Sequence, residues 1–385
     1  MHIGKGQAYF GEYMANKTIL IYKKGNLIGS SGGVEKFVSW FSGALSRQGY
    51  KVFVATRDKK DGELFYPLDK AVTFHHFRVH FSRIRRILEQ IGLSLIPYFN
   101  RELFVAKMLR AYCDEIKPDV IIAEGIQDLA DIVYDNPYPC KKIVQLHSEP
   151  SVFFTKKKRK LFEQTLKQAD LVQVLLPSFV ATLKRYYGGK IIVIGNPIFQ
   201  SNLKKNQKKI IIYPARIEKD KQQHLLIEAF ARIAKEFPDW QVHLWGSATK
   251  KEYQQQCINL IQKYDLEAQV KLMGVTNQMN EKLAEASVCA FPSRFEGFSL
   301  ALSEAMAVGI PCVGFEKSSG VNSLIQQDKT GFLVKDIDGF SLALKQLMID
   351  EELRQKFGQN AQQFCERYTP DAILKLWQEV LNAPN

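Results

Sequence analysis

Short runs of apolar and β-branched residues alternate along the chain with longer stretches in which apolar residues recur at helical spacing. This alternation predicts an α/β fold with parallel sheets, because a helical crossover is the usual connection between two parallel strands. In the first half, the predicted strands are 18–22, 51–55, 72–77, 120–123, 142–146, 171–175 and 191–194. The predicted helices of that half include 34–47, 102–116 and 156–168.

The pattern restarts after a polar segment at 200–209, which we interpret as a linker. The strands predicted beyond it are 210–213, 241–245, 270–273, 288–291, 311–315 and 331–334. The helices predicted there are 222–237, 251–264, 300–308, 351–366 and 371–381. We therefore predict two doubly wound, Rossmann-like domains, with the ligand in the cleft between them at the carboxyl ends of the strands.

Composition places the chain among ordinary globular proteins, with 46% hydrophobic and 24% charged residues in a length of 385. Its six cysteines form no C-x-x-C pair, which argues for a reducing compartment and against a disulfide framework or a zinc site. No apolar run reaches the roughly 18 residues that a bilayer span needs. Residues 1–17 lack the apolar core of a secretory signal, and both a disordered arm and a membrane-facing segment remain open for them.

Positive charge is concentrated in the first half of the chain. The net charge is +13, and residues 1–200 hold 30 Lys and Arg against 18 Asp and Glu, whereas residues 201–385 hold 23 against 22. The run Lys156–Lys160 lies between large apolar residues, and residues 81–98 mix arginines, including Arg83 and Arg86, with apolar residues in the same way. These segments suit an anionic membrane surface, although a solvated helix face is the simpler alternative.

The richest candidate chemistry lies in SRFEGFSLALSEAMAVG, residues 293–309, where Glu296 and Glu304 stand eight apart. Gly297 and Ser299 precede an apolar helix, and a helix N-terminus favours an anion such as a phosphate. Glu304 on that helix can accept hydrogen bonds from sugar hydroxyls. The combination suits a nucleotide-sugar, but two glutamates eight apart are also common on solvated helices.

Two other loops join a strand to a helix and carry groups that suit a phosphate. Gly32 and Gly33 stand at the start of the helix that follows the first strand, where glycine lets backbone approach a phosphate closely. Arg216 and Lys221 follow the strand 210–213 and could neutralise a diphosphate. A tight turn and a solvated basic loop are the respective alternatives.

Three further polar positions follow predicted strands. His147 ends the strand 142–146, where a histidine is most often a hydrogen-bonded structural residue. Glu124 ends the strand 120–123, and we favour a helix-capping or solvated role for it. Asp336 and Asp338 spell D-x-D in a turn-like context, and we interpret them as a solvated turn rather than a metal site.

The segment 293–309 resembles the Glu-x7-Glu region of the retaining GT-B glycosyltransferases of group 1, the family 4 type that includes lipopolysaccharide, capsule and lipid-linked-glycan transferases. The resemblance is strongest over residues 210–334 and weaker over 19–197. It implies a GT-B fold with an N-terminal acceptor domain at 1–199, a donor domain at 200–369, and a last helix, 370–385, that packs back on the first domain.

The resemblance also implies roles for individual residues. Gly32 and Gly33 would face the donor diphosphate, which Arg216 and Lys221 would bind, although Ala215 and Gln222 replace two glycines of that signature. The backbone of Gly297, Phe298, Ser299 and Leu300 would bind the same phosphates, and Gly274 with Val275 would frame the base. Glu304 would hold the ribose, and Glu296 and His147 would act on the transferred sugar.

We expect a retaining, metal-independent enzyme without a cofactor, which moves a hexose or N-acetylhexosamine from a nucleotide-sugar, UDP-linked, to a hydroxyl. The expected acceptor is a lipid-linked oligosaccharide, or a lipopolysaccharide or capsule intermediate, at the cytoplasmic face of the membrane, with peripheral attachment. Two alternatives stay open: a GT-B epimerase or a synthase with a soluble acceptor, and a non-enzymatic protein whose basic half binds nucleic acid. No nucleic-acid-binding motif supports the last one.

Overall fold

The computed structural model describes residues 17–30, 32–58, 61–79, 101–135, 137–200 and 206–383. The chain divides into two compact units, one made of Met1–Ile194 with Leu374–Asn385 and the other of Gly195–Ile373. The sequence prediction had placed these limits at 199/200 and 369/370, a few residues away. Two predicted features, the N-terminal segment 1–16 and the arginine-containing segment with Arg83 and Arg86, lie outside the described residues.

Unit 1 is built on a seven-stranded parallel sheet with the order β3-β2-β1-β4-β5-β6-β7. Its strands are β1 Thr18–Lys23, β2 Lys51–Thr56, β3 Thr73–His76, β4 Val120–Ala123, β5 Lys141–Leu146, β6 Leu171–Val174 and β7 Ile191–Val193. Its helices are α1 Gly33–Arg47, α2 Arg101–Ile116, α3 Ile126–Val133, α4 Arg159–Leu166 and α5 Pro177–Leu183. Strand β4 is apolar and buried at all four positions, and β1 is buried at its four middle positions, as expected where both faces of a sheet are covered.

Unit 2 has a six-stranded parallel sheet with the order β10-β9-β8-β11-β12-β13. Its strands are β8 Ile210–Pro214, β9 Gln241–Trp245, β10 Val270–Gly274, β11 Val288–Phe291, β12 Cys312–Phe315 and β13 Gly331–Val334. Its helices are α6 Gln223–Ala231, α7 Lys251–Lys263, α8 Met279–Glu285, α9 Leu300–Val308, α10 Val321–Leu324, α11 Ile337–Ile349 and α12 Glu351–Cys365.

The last helix, α13 (Pro370–Asn382), belongs to unit 1 from Leu374 onward. The indole of Trp377 is completely buried, with its ring 4.9 Å from that of Phe41. At the end of the helix, the Lys141 ammonium donates to the carbonyls of Val380 and Ala383, both at 3.1 Å. These carbonyls have no helical partner, so a cation from β5 satisfies them and fixes the end of the helix.

The predicted α/β architecture of two Rossmann-like domains, the GT-B class, is confirmed. One prediction was wrong: Asp336 does not lie in a free turn but is the N-cap of α11, where its carboxylate accepts from the Gly339 amide at 2.8 Å. Within the described ranges, no helix is both long and apolar enough to span a bilayer.

The strand order reverses once in each sheet, between β1 and β4 in unit 1 and between β8 and β11 in unit 2. At such a reversal the loops after the two strands diverge to opposite faces of the sheet, and a crevice opens beyond the carboxyl ends. Each unit therefore presents one preferred place for a ligand. The loops that follow these four strands carry most of the polar residues singled out from the sequence.

Candidate functional site

In unit 2, the loops after β8 and β11 are joined by an ion pair. The Lys221 ammonium lies 2.7 Å from Glu296 Oε1, although the two residues are 75 positions apart in the chain. The Ser293 hydroxyl donates to the same carboxylate oxygen at 2.7 Å. The Tyr213 hydroxyl, at the end of β8, lies 2.7 Å from both Ser293 Oγ and the Lys221 carbonyl. The cation and the carboxylate are thus held in place from both loops.

Helix α9 begins beside this ion pair. Ser299 is its N-cap, and its hydroxyl accepts from the Leu302 amide at 3.4 Å. The helix ends at Gly309, as predicted, and that glycine has the left-handed conformation. The first turn of a helix has amide groups without a helical acceptor, and the helix dipole adds positive potential there. Because α9 is largely buried, this positive end is fixed in unit 2, where Gly297 to Leu300 form a site suited to a phosphate.

A glycine outside the predicted site shapes the same loop. Gly320, at φ +81°, packs so closely that a β-carbon there would lie 2.2 Å from the Gly297 carbonyl oxygen. The Glu296 amide also donates to the Ser319 carbonyl at 2.8 Å. The loop after β12 therefore supports the backbone that carries Glu296 and Gly297. The sequence analysis missed this contribution, for which the S-S-G triplet at 318–320 was the available signal.

The basic loop after β8 tolerates both departures from the family signature. Ala215 is accommodated because the close approach is made by Gly246, at φ +142°, whose β-carbon would lie 2.2 Å from the Ala215 carbonyl oxygen. Gln222 adopts φ +53° and ψ +40°, the left-handed conformation that glycine normally supplies. Arg216 has a 64% exposed side chain and pairs with Glu218 at 3.1 Å.

The remaining predicted donor residues lie on neighbouring elements of unit 2. Glu304 is half-buried on α9, one turn beyond its first residue. Gly274 ends β10 at φ +73°, and its carbonyl accepts from the Gly246 amide at 2.7 Å. Val275 follows with 76% exposure. A hydrogen bond thus connects the turn after β10 to the turn after β9. The turn after β9 also contacts the basic loop after β8.

In unit 1, the predicted residues lie at the ends of the sheet strands and the start of α1. Gly32 is the N-cap of α1, and a β-carbon there would lie 2.2 Å from Glu35 Oε2. The other Glu35 oxygen pairs with Lys23 at 3.2 Å, so a carboxylate already lies at this helix N-terminus. Gly33 is the first residue of α1 and is exposed.

Glu124 does not have the role that we favoured from the sequence. Its side chain has 0% exposure and accepts a hydrogen bond from His147 Nε2 at 2.7 Å, and the N-cap of α3 is Gly125. His147 follows β5, the neighbour of β4, so adjacent parallel strands deliver both groups to the same edge. Glu124 is therefore the hydrogen-bond partner of His147, whereas the sequence analysis had favoured a helix-capping or solvated role for it.

In the described parts of the chain, no group of three or more His, Cys, Asp or Glu side chains is arranged to hold a metal ion. Asp336 caps α11, and Asp338 pairs with Arg232. The two aspartates of the D-x-D sequence therefore lie at the start of a helix. The positive groups of the candidate site are Arg216, Lys221 and the N-terminus of α9.

Two family profiles match the chain, "Glycosyltransferase Family 4" at residues 31–199 and "Glycosyl transferases group 1" at residues 196–364. The chain belongs to the group 1 glycosyltransferases. Together the two matches span residues 31–364, which contain every strand named above except β1. The chain is therefore a glycosyltransferase, and a purely nucleic-acid-binding role is set aside.

Among curated relatives, this glycosyltransferase is similar to an exopolysaccharide phosphotransferase of Streptomyces coelicolor, with 34% identity over 45% of the chain but only 18% of that protein's length. It is 24% identical to the amylovoran biosynthesis glycosyltransferase AmsD of Erwinia amylovora, over 92% of the chain and 97% of the relative. A similar solved structure is a mutant TarM of S. aureus in complex with fondaparinux, α-GlcNAc-glycerol and UDP. Its TM-score is 0.76 at 17% identity, covering 95% of this chain and 100% of that one.

Proposed function

We propose that this glycosyltransferase is a retaining enzyme that moves a hexose or N-acetylhexosamine from a UDP-sugar to a hydroxyl of a growing glycan. The observation that carries the proposal is the Lys221–Glu296 ion pair beside the N-terminus of α9. It places a cation, backbone amides and a hydroxyl-binding carboxylate within one small region of unit 2. A sugar diphosphate needs all three of these groups. TarM, with the same fold, was solved with UDP, which supports the choice of nucleotide.

In the proposed mechanism, the main task of unit 2 is to stabilise the charge of the departing diphosphate. Lys221 exchanges its Glu296 partner for a phosphate oxygen, Arg216 leaves Glu218 in the same way, and the amides of Gly297 to Leu300 donate to the phosphates. Glu296, released from the ammonium, accepts hydrogen bonds from hydroxyls of the transferred sugar. Glu304 holds the ribose, and the backbone at Gly274 and Val275 frames the base.

The chemical step then follows a front-face course. The bond between the anomeric carbon and the phosphate oxygen breaks while the acceptor oxygen bonds to the same face of that carbon, so the configuration is retained. The leaving phosphate takes the proton of the acceptor hydroxyl. In unit 1, the proposed substrate contacts are Gly32, Gly33 and His147. We propose that the enzyme needs no metal, because cationic side chains and helix dipole supply the electrostatic stabilisation.

For the acceptor, we propose a lipid-linked oligosaccharide, or a lipopolysaccharide or capsule intermediate, at the inner face of the cytoplasmic membrane. Peripheral attachment would use the exposed run Lys156–Lys160 and the exposed side chains of Val152 and Leu161. Phe154 and Phe162, which also flank this run, are buried and belong to the core of unit 1.

The test is donor hydrolysis and binding across a panel of UDP-, GDP- and ADP-sugars in the presence of EDTA. Wild type should turn over one donor selectively, and Glu304→Ala should lower its kcat/KM by about 10–100-fold, the effect of losing a charged hydrogen bond. The exposed Glu352, on α12, provides the matched control Glu352→Ala, which should leave turnover unchanged. Failure of every nucleotide-sugar to bind would overturn the proposal, and release of an epimerised sugar nucleotide would favour the epimerase alternative.

A further inference from the structure

Glu124 and His147 form a sequestered hydrogen-bonded pair at the ends of β4 and β5. The Glu124 side chain has 0% exposure and that of His147 has 9%, and the distance from Nε2 to Oε2 is 2.7 Å. One face of the imidazole is fixed by an edge contact with Phe37, at 5.5 Å between ring centroids. The second carboxylate oxygen, Oε1, is buried and has no hydrogen-bond partner among the described residues. Within the described residues, the Glu124 carboxylate therefore has His147 as its hydrogen-bond partner.

The direction of that hydrogen bond follows from the chemistry of its two partners. An ionised carboxylate has no proton to donate, so Nε2 carries the proton of this hydrogen bond and the Glu124 carboxylate accepts it. In the neutral ring, Nδ1 then carries a lone pair and is an acceptor. Within the described parts of the chain, Nδ1 makes no hydrogen bond. Unlike Glu124 Oε1, it is not among the buried atoms that lack a partner, so it is accessible. It is left available to a donor from outside the protein.

We propose that Glu124 is a positioning residue that holds His147 in the Nε2–H tautomer, so that Nδ1 accepts a hydrogen bond from a carbohydrate hydroxyl of the substrate. The inference rests on the proposed function for the identity of that substrate, but the tautomer itself does not. The hydroxyl belongs either to the transferred sugar or to the acceptor. In both cases the contact is specific, since a site that binds a hydroxyl by hydrogen bond rejects the analogue that lacks it.

The first test is long-range ¹H–¹⁵N correlation spectroscopy of the whole protein labelled with ¹⁵N-histidine, without substrate. The His147 signals, assigned by their loss in His147→Gln, should show a protonated Nε2 and an unprotonated Nδ1 at neutral pH. In Glu124→Met, which keeps volume and burial but removes the acceptor, the signals should shift towards a tautomer mixture. A protonated Nδ1 in wild type, or unchanged signals in Glu124→Met, would overturn the assignment.

The second test compares two amides that replace different ring nitrogens. His147→Asn places an acceptor oxygen near the position of Nδ1, whereas His147→Gln reaches the position of Nε2 and the Glu124 carboxylate. We expect His147→Gln to lower kcat/KM about tenfold and His147→Asn to retain most of it, because one hydrogen bond is worth about a factor of ten. The opposite order would contradict the role of Nδ1.

Deoxy analogues identify which sugar provides the hydroxyl. UDP-glucose and its four monodeoxy analogues are tested in hydrolysis, and octyl glucoside with its deoxy series in transfer. Wild type should discriminate against one analogue by about tenfold, and both Glu124→Met and His147→Gln should lose that discrimination, while thermal unfolding shows that the variants remain folded. Equal discrimination in wild type and variants would mean that the pair is only structural. The spectroscopic result stands even if no UDP-sugar is a substrate, which separates the two failures.

Discussion

At the scale of single residues, Gln222 has an unfavourable backbone conformation in the loop that also contains Arg216 and Lys221. It precedes α6 at φ +53°, a region that costs an ordinary residue about 1 kcal/mol or more relative to glycine. We predict that Gln222→Gly raises the free energy of unfolding by about 0.5–1 kcal/mol, because relief of strain exceeds the added entropy of the unfolded chain. Urea denaturation measures the change.

The matched control for this substitution is Gln256→Gly. Gln256 is exposed in the middle of α7, where its backbone is helical, and the same change should cost about 1 kcal/mol there. Opposite signs at the two positions would show that the effect at Gln222 comes from its backbone conformation. A loss of stability at both positions would contradict the prediction.

Asp128, in the first turn of α3, is a buried carboxyl whose pKa makes the stability of the protein depend on pH. Burial raises the pKa of its carboxyl to about 7, and the charges of Glu124 and Asp131 act in the same direction, against the amide of Lys24 and the charge of Lys23. The folded chain therefore retains a proton that the unfolded chain has lost between about pH 4 and pH 7. The contribution of Asp128 to the free energy of unfolding is therefore greatest below about pH 4 and decreases as the pH rises to about 7.

We predict that Asp128→Asn makes the free energy of unfolding decrease less between about pH 5 and pH 8 than it does in wild type. Asparagine keeps the oxygen that accepts from the Lys24 amide, at 2.9 Å in the structure, so the loop contact survives. Asp239→Asn is the control, because Asp239 is exposed and a hydrogen bond from Lys209 lowers its pKa. A pH profile of Asp128→Asn parallel to that of wild type would contradict the prediction.

Local sequence was informative about these sites only where one segment contains all the partners. The run from Ser293 to Gly309 contains its own cap, helix and terminating glycine, and α9 has the predicted limits. The ion pair of Lys221 with Glu296 and the hydrogen bond of Glu124 with His147 depend on strand order. No spacing within the sequence encodes which strands become neighbours, so these pairs could not be predicted.

At the scale of elements, the strands were predicted better than the helices for a physical reason. A strand buried on both faces, such as β8, is a continuous apolar run that stands out from its neighbours. Helices α3, α5, α8 and α10 were missed because they span only 4 to 8 residues, too few to show a helical period. Helix α11 was missed because its capping aspartate was interpreted as part of a turn.

That capping role gives a prediction at the start of α11. Asp336→Ala should lower the free energy of unfolding by about 1 kcal/mol, because the Gly339 amide loses its acceptor. Asp338→Ala is the matched control, since Asp338 has an 80% exposed side chain and its pairing with Arg232 contributes little in water. Equal effects of both variants, or an Asp338 effect larger than that of Asp336, would contradict the assignment of the cap.

At the scale of the whole molecule, the asymmetry of charge is the main feature that the donor site does not use. The first 200 residues carry a net +12, from 30 basic and 18 acidic residues, and the rest carry +1. In the proposed mechanism, the positive groups that bind the donor are Arg216, Lys221 and a helix N-terminus, all in unit 2. The excess charge of the first half therefore suits a second anionic partner, and the exposed run at Lys156–Lys160 is its densest described part.

We predict that the enzyme sediments with vesicles containing anionic phospholipid, that it does so less as salt increases, and that neutral vesicles do not retain it. Replacing Lys156, Lys157, Lys158 and Lys160 by Gln should weaken binding at least about tenfold, since each lysine near such a surface is worth about 1 kcal/mol. The matched control replaces four exposed lysines of unit 2, at positions 235, 263, 271 and 356, with the same loss of net charge. Equal weakening in both sets would mean that net charge alone attracts the protein, whereas selective loss in the first set would place the membrane contact on unit 1, the unit that also contains His147.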